Sequence, residues 1–239
     1  MTSIFEDSRA ASGYCAQTLI EIIREKPTAL ICLAAGHTSL EMFEALIAAY
    51  RSGETDFSEV RVVDMDEWVG LAAEDDGSCE GFLRQNLFDR INVQEKNIRM
   101  FNGRAADLEQ ECRDMDRHIA ANGGIDYMLL GLGMNGHLAL NEPGVNPESG
   151  SHVVSLDTVT QEVAVKYFHE MPHIKQGITL GIRNIMETRR IQLLITGEKK
   201  SNVVKELIGS EPTNEFPGTL LKGRTQVEIV LDKQAAGLI

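Results

Sequence analysis

Apolar residues near the start of the chain follow two different spacings. Between residues 8 and 25, Cys15, Leu19 and Ile23 fall four residues apart, which is the spacing of one face of an amphipathic helix. The next apolar segment, TALICLA at 28–34, is a continuous run that ends before a glycine. Short runs of this kind are typical of strands that are buried on both faces. The pattern therefore predicts a helix followed by a buried strand.

The same alternation continues to the end of the chain. It predicts helices near 39–51, 79–91, 105–121, 160–168 and 198–208, and strands near 59–65, 97–101, 125–132, 190–196 and 227–232. Strands that alternate with helices form parallel βαβ units, in which helices cover both faces of the sheet. We therefore predict one α/β domain over residues 1–239, with a mostly parallel, Rossmann-like sheet. Ligands of such sheets bind beyond the carboxyl ends of the strands, so we expect the functional residues in the loops there.

The loop after the first buried strand, AAGHTSLEMF, has two interpretations. Gly36 lets the backbone approach an anion, and the amides near Thr38 and Ser39 lie at the positive end of the next helix dipole. This arrangement suits a phosphate group. Alternatively, Thr38 and Glu41 have the S/T-x-x-E spacing of a capping box, which needs no ligand. The loop alone leaves both interpretations open.

The loop after the strand at 59–65 is acidic. Alternation along the strand places Asp64 and Asp66 on one face, with Glu67 opposite if the strand continues that far. Neighbouring carboxylates repel one another, and this repulsion raises one pKa toward the range of a general base. A solvated strand end is the alternative, but the adjacent Trp68 favours acids held against apolar surface.

The third loop, GLGMNGHLALNEPG, has glycines at the GxGxxG spacing of a dinucleotide-binding turn. That interpretation requires a full helix after the last glycine, and Pro143 and Pro147 stand where this helix would run. The loop also places Asn135 two residues before His137 and Glu142 five residues after it. A carboxylate can orient an imidazole that transfers protons to a sugar oxygen. The alternative is a histidine satisfied by nearby backbone groups.

The bulk composition narrows the possible partners. A net charge of −13 argues against a nucleic-acid partner, because recognition of the nucleic-acid backbone relies on clustered Lys and Arg. A phosphorylated substrate would have to bind through local amides and a few lysines. No segment approaches the roughly 20 apolar residues of a membrane span, and the N-terminus has no targeting pattern. We expect a cytoplasmic protein without a membrane partner.

The cysteines predict neither a metal site nor disulfides. Cys15, Cys32, Cys79 and Cys112 lie far apart, with no CxxC pair and no histidine at metal-ligand spacing. His137 also lacks further ligands at the spacing of a zinc site. Buried or inert thiols are therefore expected.

Taken together, these segments resemble the glucosamine-6-phosphate deaminase family, including its galactosamine-6-phosphate deaminase/isomerase branch. The resemblance covers nearly the whole chain, and its most specific pieces are MDEWVGL, GGIDYMLLGLGMNGHLALNEPG, QGITLGIRNIM and TGEKK. It implies a fold of the deaminase/phosphogluconolactonase type and no metal or organic cofactor. It also implies an enzyme, classed with the hydrolases of C–N bonds, that isomerises and deaminates an amino-sugar 6-phosphate to a ketose 6-phosphate and ammonia.

The resemblance also implies a role for each residue that matches a family motif. Asp66 corresponds to the base that moves a proton between C2 and C1 of the sugar, and Glu67 is a secondary candidate. His137 corresponds to the group that assists opening of the pyranose ring, and Glu142 and Asn135 would orient and tune it.

The implied phosphate site combines backbone amides with basic side chains. The corresponding positions are Gly36, His37, Thr38, Lys166 and Lys200. Residues 156–179 correspond to a mobile lid. The first loop departs from the family, because Ala35 and Ser39 replace the usual Thr and Pro. Asn135 stands where many relatives have Asp, so we expect the His137 pKa to be less elevated here.

Two other functions remain as alternatives. A 6-phosphogluconolactonase resembles this fold but usually follows its Gly-His with Thr-Ala-Ser, whereas this chain continues with Leu138, Ala139 and Leu140. A non-catalytic sugar-phosphate sensor should have an added DNA-binding segment, and no such segment is found before residue 8. The segments ICLAAG, MDEWV and GSCEGFL lie closer to the galactosamine branch. Relatives include monomers and hexamers, so a homo-oligomer is also open.

Overall fold

A central seven-stranded sheet organises the computed structural model, which describes residues 1–158, 160–161 and 174–239. The strands are Thr2–Phe5 (β1), Leu30–Leu33 (β2), Arg61–Val63 (β3), Asp66–Trp68 (β4), Ile98–Arg99 (β5), Tyr127–Leu130 (β6), His152–Ser155 (β7), Gln176–Thr179 (β8), Arg190–Ile195 (β9) and Val227–Asp232 (β10). The central sheet has the order β1-β10-β9-β6-β2-β3-β5, and all neighbours in it run parallel. The prediction of a mostly parallel sheet is confirmed.

Helices cover both faces of this sheet, as predicted. They are Ser8–Glu25 (α1), Leu40–Arg51 (α2), Cys79–Asn86 (α3), Leu108–Ala121 (α4), Ile182–Met186 (α5) and Ser201–Gly209 (α6). The apolar sides of α1, α2 and α3 pack into one core cluster, and those of α4, α5 and α6 pack into the other. None of the helices in the described residues has the length and apolar character needed to cross a bilayer.

Three short strands form a second sheet that the sequence pattern did not predict. Strand β8 lies between β4 and β7 and runs antiparallel to both. Each of the three strands has only three or four residues, and β4 pairs with a strand more than a hundred residues further along the chain. Neither local periodicity nor a turn signal marks such a pairing. Strand β1 was also missed, because it is short and half exposed.

The lid predicted at 156–179 can be located only in part. Its last four residues form β8, whereas residues 159 and 162–173 lie outside the described residues. The helix predicted near 160–168 also falls there, except for residues 160 and 161.

The winding of the central sheet reverses between β2 and β6. These strands are neighbours, but the chain continues from β2 to β3 on one side and from β6 to β9 on the other. The loops that leave the two carboxyl ends therefore separate from each other, and in open α/β sheets ligands bind in the crevice formed at such a point.

Candidate active site

A cleft of about 570 Å³ lies where the loops after β2 and β6 separate. Its walls include most of the residues predicted from the sequence to form the site: Gly36, His37, Thr38, Asp66, His137 and Lys200. Three separate loops and the first residue of β4 contribute these side chains. Lys166, also predicted for the phosphate site, lies outside the described residues.

The loop after β2 forms a single 3₁₀ turn, His37–Ser39, before α2 begins at Leu40. The Ser39 hydroxyl donates to Ala34 O at 2.8 Å, and no side chain caps either the turn or α2. The capping box considered from the sequence is therefore not formed. Because the turn lines the cleft, its amides and the N-terminal end of α2 adjoin the space where an anion would bind.

Lys200 also lines the cleft and lies at the end of a 3₁₀ turn after β9. Its ammonium group donates to Leu132 O at the start of the β6 loop. Asp232 supports this turn, because both of its carboxylate oxygens lie 3.0 Å from Gly197 N. Lys200 and the 3₁₀ turn after β2 thus line the same cleft.

The acidic segment after β3 is divided between two environments. Strand β3 ends at Val63, and Asp64 is buried, where it accepts hydrogen bonds from Met65 N at 2.9 Å and Phe101 N at 3.3 Å. Asp66 is only partly buried and lines the cleft. Asp64 thus joins β3 to the loop after β5, whereas Asp66 faces the space where a substrate would bind.

The environment of Asp66 suits a general base. Burial of the carboxyl, followed by the nearby charge of Glu67, raises the pKa of Asp66 to about 7, although a hydrogen bond from the Cys79 thiol opposes the rise. A base is most effective when its pKa lies near the working pH. Asp66 is therefore the carboxylate whose position and pKa both fit proton transfer.

Glu67 has a different function in the fold. Its carboxylate accepts hydrogen bonds from Cys79 N and Glu80 N at 3.0 Å each and from the Ser78 hydroxyl at 3.1 Å. A fourth bond comes from Trp68 N at 2.8 Å. Three of these donors belong to the N-terminus of α3, where a negative charge is stabilised by the helix dipole. The structure therefore places this secondary candidate at the start of α3 and not in the cleft wall.

Three polar side chains form a hydrogen-bonded chain that ends in the cleft. Asn135 Nδ2 donates to Glu142 Oε2 at 2.9 Å, and Asn135 Oδ1 lies 2.7 Å from His137 Nδ1. Glu142 is buried, and its other oxygen accepts a bond from Asp157 N at 3.2 Å. The direct distance from His137 Nδ1 to Glu142 Oε2 is 3.7 Å, so Asn135 is the connecting group.

The hydrogen-bonded chain of Glu142, Asn135 and His137 fixes the position of the proton on the imidazole. An ionised carboxylate can only accept hydrogen bonds, so the amide nitrogen of Asn135 must face Glu142. The amide oxygen then faces His137 Nδ1, which must be the protonated nitrogen. In neutral His137 the lone pair therefore resides on Nε2, and this nitrogen can accept a proton.

Burial decides the charge of His137. Loss of hydration lowers the pKa of the imidazole below its ordinary value, while Glu142 and Asp157 raise it and Lys200 lowers it further. The sequence predicted a less elevated pKa because Asn135 brings no charge, whereas the main cause of the lowered pKa here is burial. A neutral imidazole at neutral pH follows.

The glycines that resemble a dinucleotide fingerprint are explained by packing in the loop itself. A Cβ on Gly133 would lie 2.3 Å from the His137 imidazole, and one on Gly136 would lie 2.6 Å from the Phe216 ring. Gly136 also has a φ of 81°, which side chains rarely adopt. Residues 137–151 contain no helix, so the structure lacks the helix that dinucleotide binding requires.

Several residues of the cleft were not predicted from the sequence. The Thr160 hydroxyl lies 3.3 Å from His137 Nδ1, although the two residues are separated by the whole of β7. Thr160 does not itself line the cleft, whereas the unpredicted residues that do include Met134, Ala139 and Lys199. Lys199 adjoins Lys200 in the TGEKK segment, which was the only signal that could have identified it.

Known proteins share both sequence and fold with this chain. Residues 6–230 match the family model described as glucosamine-6-phosphate isomerases/6-phosphogluconolactonase. The glucosamine-6-phosphate deaminase of Thermoanaerobacter pseudethanolicus is 38% identical over 229 residues, which cover 95% of this chain and 90% of that protein. The one from Shouchella clausii is 39% identical over 228 residues, covering 95% and 92%. The chain belongs to the glucosamine-6-phosphate deaminase family.

Solved structures in and beyond this family share the fold. A monomeric glucosamine-6-phosphate deaminase superposes with a TM-score of 0.96 at 31% identity, over 100% of this chain and 99% of that one. The 6-phosphogluconolactonase of Trypanosoma brucei gives a TM-score of 0.79 at 20% identity, over 99% and 97% of the two chains. The lactonase likeness extends to the fold alone, whereas the deaminase likeness extends to the sequence as well.

The contacts of Glu67 predict a large effect on stability. Glu67→Gln would turn an amide NH₂ group toward donors that now bind the carboxylate. Leaving such buried donors without an acceptor costs about 1–3 kcal/mol each, so we expect the free energy of unfolding to fall by about 2 kcal/mol or more in urea denaturation. Glu80→Gln is the matched control, because it removes only the Glu80–Arg84 pair on the same helix and should cost less than about 1 kcal/mol. Equal losses in the two variants would contradict the assignment.

Proposed function

We propose that this protein converts an amino-sugar 6-phosphate into a ketose 6-phosphate and ammonia. The observation that carries the proposal is the presence of two proton-transfer groups in one cleft, the partly exposed Asp66 and the imidazole of His137 held by Asn135 and Glu142. The names of the related deaminases support the same reaction. The proposal uses no metal ion or organic cofactor.

In the first step, His137 opens the sugar ring. Its unprotonated Nε2 accepts the proton of the C1 hydroxyl, the bond from C1 to the ring oxygen breaks, and the proton passes to that oxygen. The product is the open-chain aldehyde. During the transfer the imidazole is briefly positive, and Glu142 stabilises this charge through Asn135.

In the second step, Asp66 moves a proton from C2 to C1. Asp66 removes the C2 proton while the aldehyde oxygen takes up a proton from water, which gives an enolamine, and protonated Asp66 then returns its proton to C1, which gives an iminium group at C2 that loses one proton to become the imine. Water then adds to the imine carbon, and ammonia leaves to give the ketose. The reaction is therefore an isomerising deamination. The hydrolase class expected from the sequence describes only its last stage.

We further propose that the sugar phosphate binds at the loop after β2. The amides of Gly36, His37 and Thr38 and the ammonium group of Lys200 line the same cleft as Asp66. These groups would provide the local attraction that a chain of net charge −13 needs to bind an anion. The substrate would be glucosamine 6-phosphate or galactosamine 6-phosphate. The relatives carry the glucosamine name, whereas short segments of the sequence lie closer to the galactosamine branch.

A direct assay tests the reaction and the role of Asp66. Ammonia release should be measured with glucosamine 6-phosphate and galactosamine 6-phosphate side by side, and at least one of them should be turned over. Asp66→Asn should lower kcat by about 10³-fold or more, because the amide cannot accept the C2 proton, while the Kd for the same substrate stays within about threefold. Hydrolysis of a phosphogluconolactone without ammonia release from either amino sugar would refute the proposal.

The pKa of Asp66 predicts the direction of the pH dependence. Because this carboxyl has a pKa of about 7 and must be ionised to act as a base, kcat/KM should rise with pH through this region. The pKa of His137 is lowered from its ordinary value, so the imidazole is neutral at pH 7 and the rise through that pH is expected from Asp66. The measurement is a kcat/KM profile from pH 5.5 to 8.5, with binding of the ketose product followed over the same range to separate phosphate ionisation. A kcat/KM that falls across this interval would exclude Asp66 as the base.

Lys200 should contribute directly to binding of the phosphate. Lys200→Ala is expected to raise the Kd for the phosphorylated sugar by about tenfold or more, since a charge-assisted hydrogen bond is lost. Calorimetry in the Asp66→Asn background avoids turnover. Lys205→Ala is the matched control, because Lys205 is exposed on α6 and lies outside the cleft wall. If both variants bind as the parent does, Lys200 is not part of the phosphate site.

A further inference from the structure

The end of β8 lies between the two elements that contribute the proton-transfer groups. Thr179 is fully buried and pairs with Asp66 in the antiparallel register of β4 and β8. The next residue, Leu180, donates its N–H to Met65 O at 2.9 Å. The backbone around Asp66 is therefore hydrogen-bonded to the end of β8 and to Leu180.

The same segment also contacts the loop that carries His137. Leu140 N donates to the Thr179 hydroxyl oxygen at 3.3 Å, and this hydroxyl donates to Leu180 O at 3.1 Å, with Met65 O a longer alternative at 3.5 Å. Asn141 Nδ2 donates to Leu180 O at 2.8 Å. Side-chain hydrogen bonds thus connect β8 to the turn at 138–141.

The turn at 138–141 has a strained backbone and lies between two residues of the hydrogen-bonded chain in the cleft. Among the described residues, Ala139 is the one non-glycine residue with a positive φ, at 53°, a conformation that costs energy for a residue with a side chain. The turn joins His137 to Glu142, the two ends of the hydrogen-bonded chain in the cleft. A small change in its geometry would move the imidazole and its carboxylate together.

We propose that Thr179 is a positioning residue for the reaction, with its hydroxyl fixing the turn after His137 relative to the strand that begins with Asp66. Thr179 does not line the cleft, so it acts through the two proton-transfer groups and not on the substrate. The proposal rests on the proposed function, which assigns the chemistry to those groups. A shift of about 1 Å in such groups can cost a hundredfold in rate.

The test uses variants that separate the hydroxyl from the shape of the side chain. Thr179→Val keeps the volume and removes the hydrogen bonds, and kcat should fall about ten- to hundredfold. The Kd for the sugar phosphate in the Asp66→Asn background should stay within about twofold, because Thr179 does not line the cleft. Thr179→Ser restores the hydroxyl and should recover kcat to within about threefold of the parent.

Thr188→Val is the matched control. Thr188 is also buried, and its hydroxyl likewise donates to a backbone oxygen, Asn184 O at 3.1 Å, but it lies at the end of α5 and outside the cleft wall. It should lose a similar amount of stability and keep the kcat of the parent. If Thr179→Val does not fold, Thr179→Cys replaces it, because a thiol is a weaker hydrogen-bonding group than a hydroxyl.

An independent readout is the titration of the His137 imidazole by NMR, assigned with a His137→Gln variant. Burial lowers the pKa of His137 in the parent, so a turn that loosens and admits water should raise this pKa toward its ordinary value. Among the described residues, the charged groups that act on the imidazole are Glu142 in its own loop, Asp157 after β7 and Lys200 after β9, and Asp66 shares the cleft. None of these is altered in Thr179→Val.

The outcomes distinguish this proposal from the proposed function. Reduced kcat together with a raised His137 pKa in Thr179→Val, both reversed in Thr179→Ser, supports the positioning role. Unchanged kcat and titration in a folded Thr179→Val overturn it, as does a loss of activity that Thr188→Val reproduces. If the parent releases no ammonia while the His137 titration still shifts, the proposed function fails and the positioning of the imidazole stands.

Discussion

Backbone N–H groups that bind buried carboxylates hold the carboxyl edge of the sheet together. Asp64 just after β3, Glu67 in β4 and Asp232 at the end of β10 each accept hydrogen bonds from at least two backbone amides, and at least one of these amides belongs to another segment. A buried charge is tolerated only when such donors replace its hydration. Each of these carboxylates therefore fixes the start of a loop or helix relative to a strand, and the cleft lies between the segments fixed in this way.

Asp66 is the exception among these acids. It follows Asp64 by two residues and precedes Glu67, but it lines the cleft, and its hydrogen-bond donor is the Cys79 thiol, which is a weak one. Burial raises the pKa of all three neighbouring acids, Asp64, Asp66 and Glu67. What separates Asp66 from the other two is its place in the cleft wall, because the carboxylates of Asp64 and Glu67 are bound by backbone amides and do not line the cleft.

The sequence predicted the central architecture because long apolar runs and helical periodicity are local signals. Strands β2, β6, β9 and β10 and the packed face of α1 follow from them directly. The small antiparallel sheet could not be predicted in this way, since β4 pairs with β8 across more than a hundred residues. Its absence from the prediction also hid Thr179, whose contacts exist only once β8 lies beside β4.

The candidate site shows the same division. Motif spacing identified Asp66, His137 and the loop at Gly36, and the structure brings all three to one cleft. Motif spacing did not show that the Glu67 carboxylate accepts hydrogen bonds from the amides of α3, because that contact depends on where α3 begins. The contact of Thr160 with His137 could not be predicted from the sequence either, because it joins segments on either side of β7.

The close packing of Gly133 against His137 restricts how the proposed chemistry can proceed. With less space above the imidazole than a methyl group needs, and with Nδ1 held by Asn135, the ring has little freedom to rotate. A proton that must leave one sugar oxygen and arrive at another would therefore travel by motion of the sugar past a stationary nitrogen. The imidazole would keep one position during ring opening, and the sugar would change its conformation beside it.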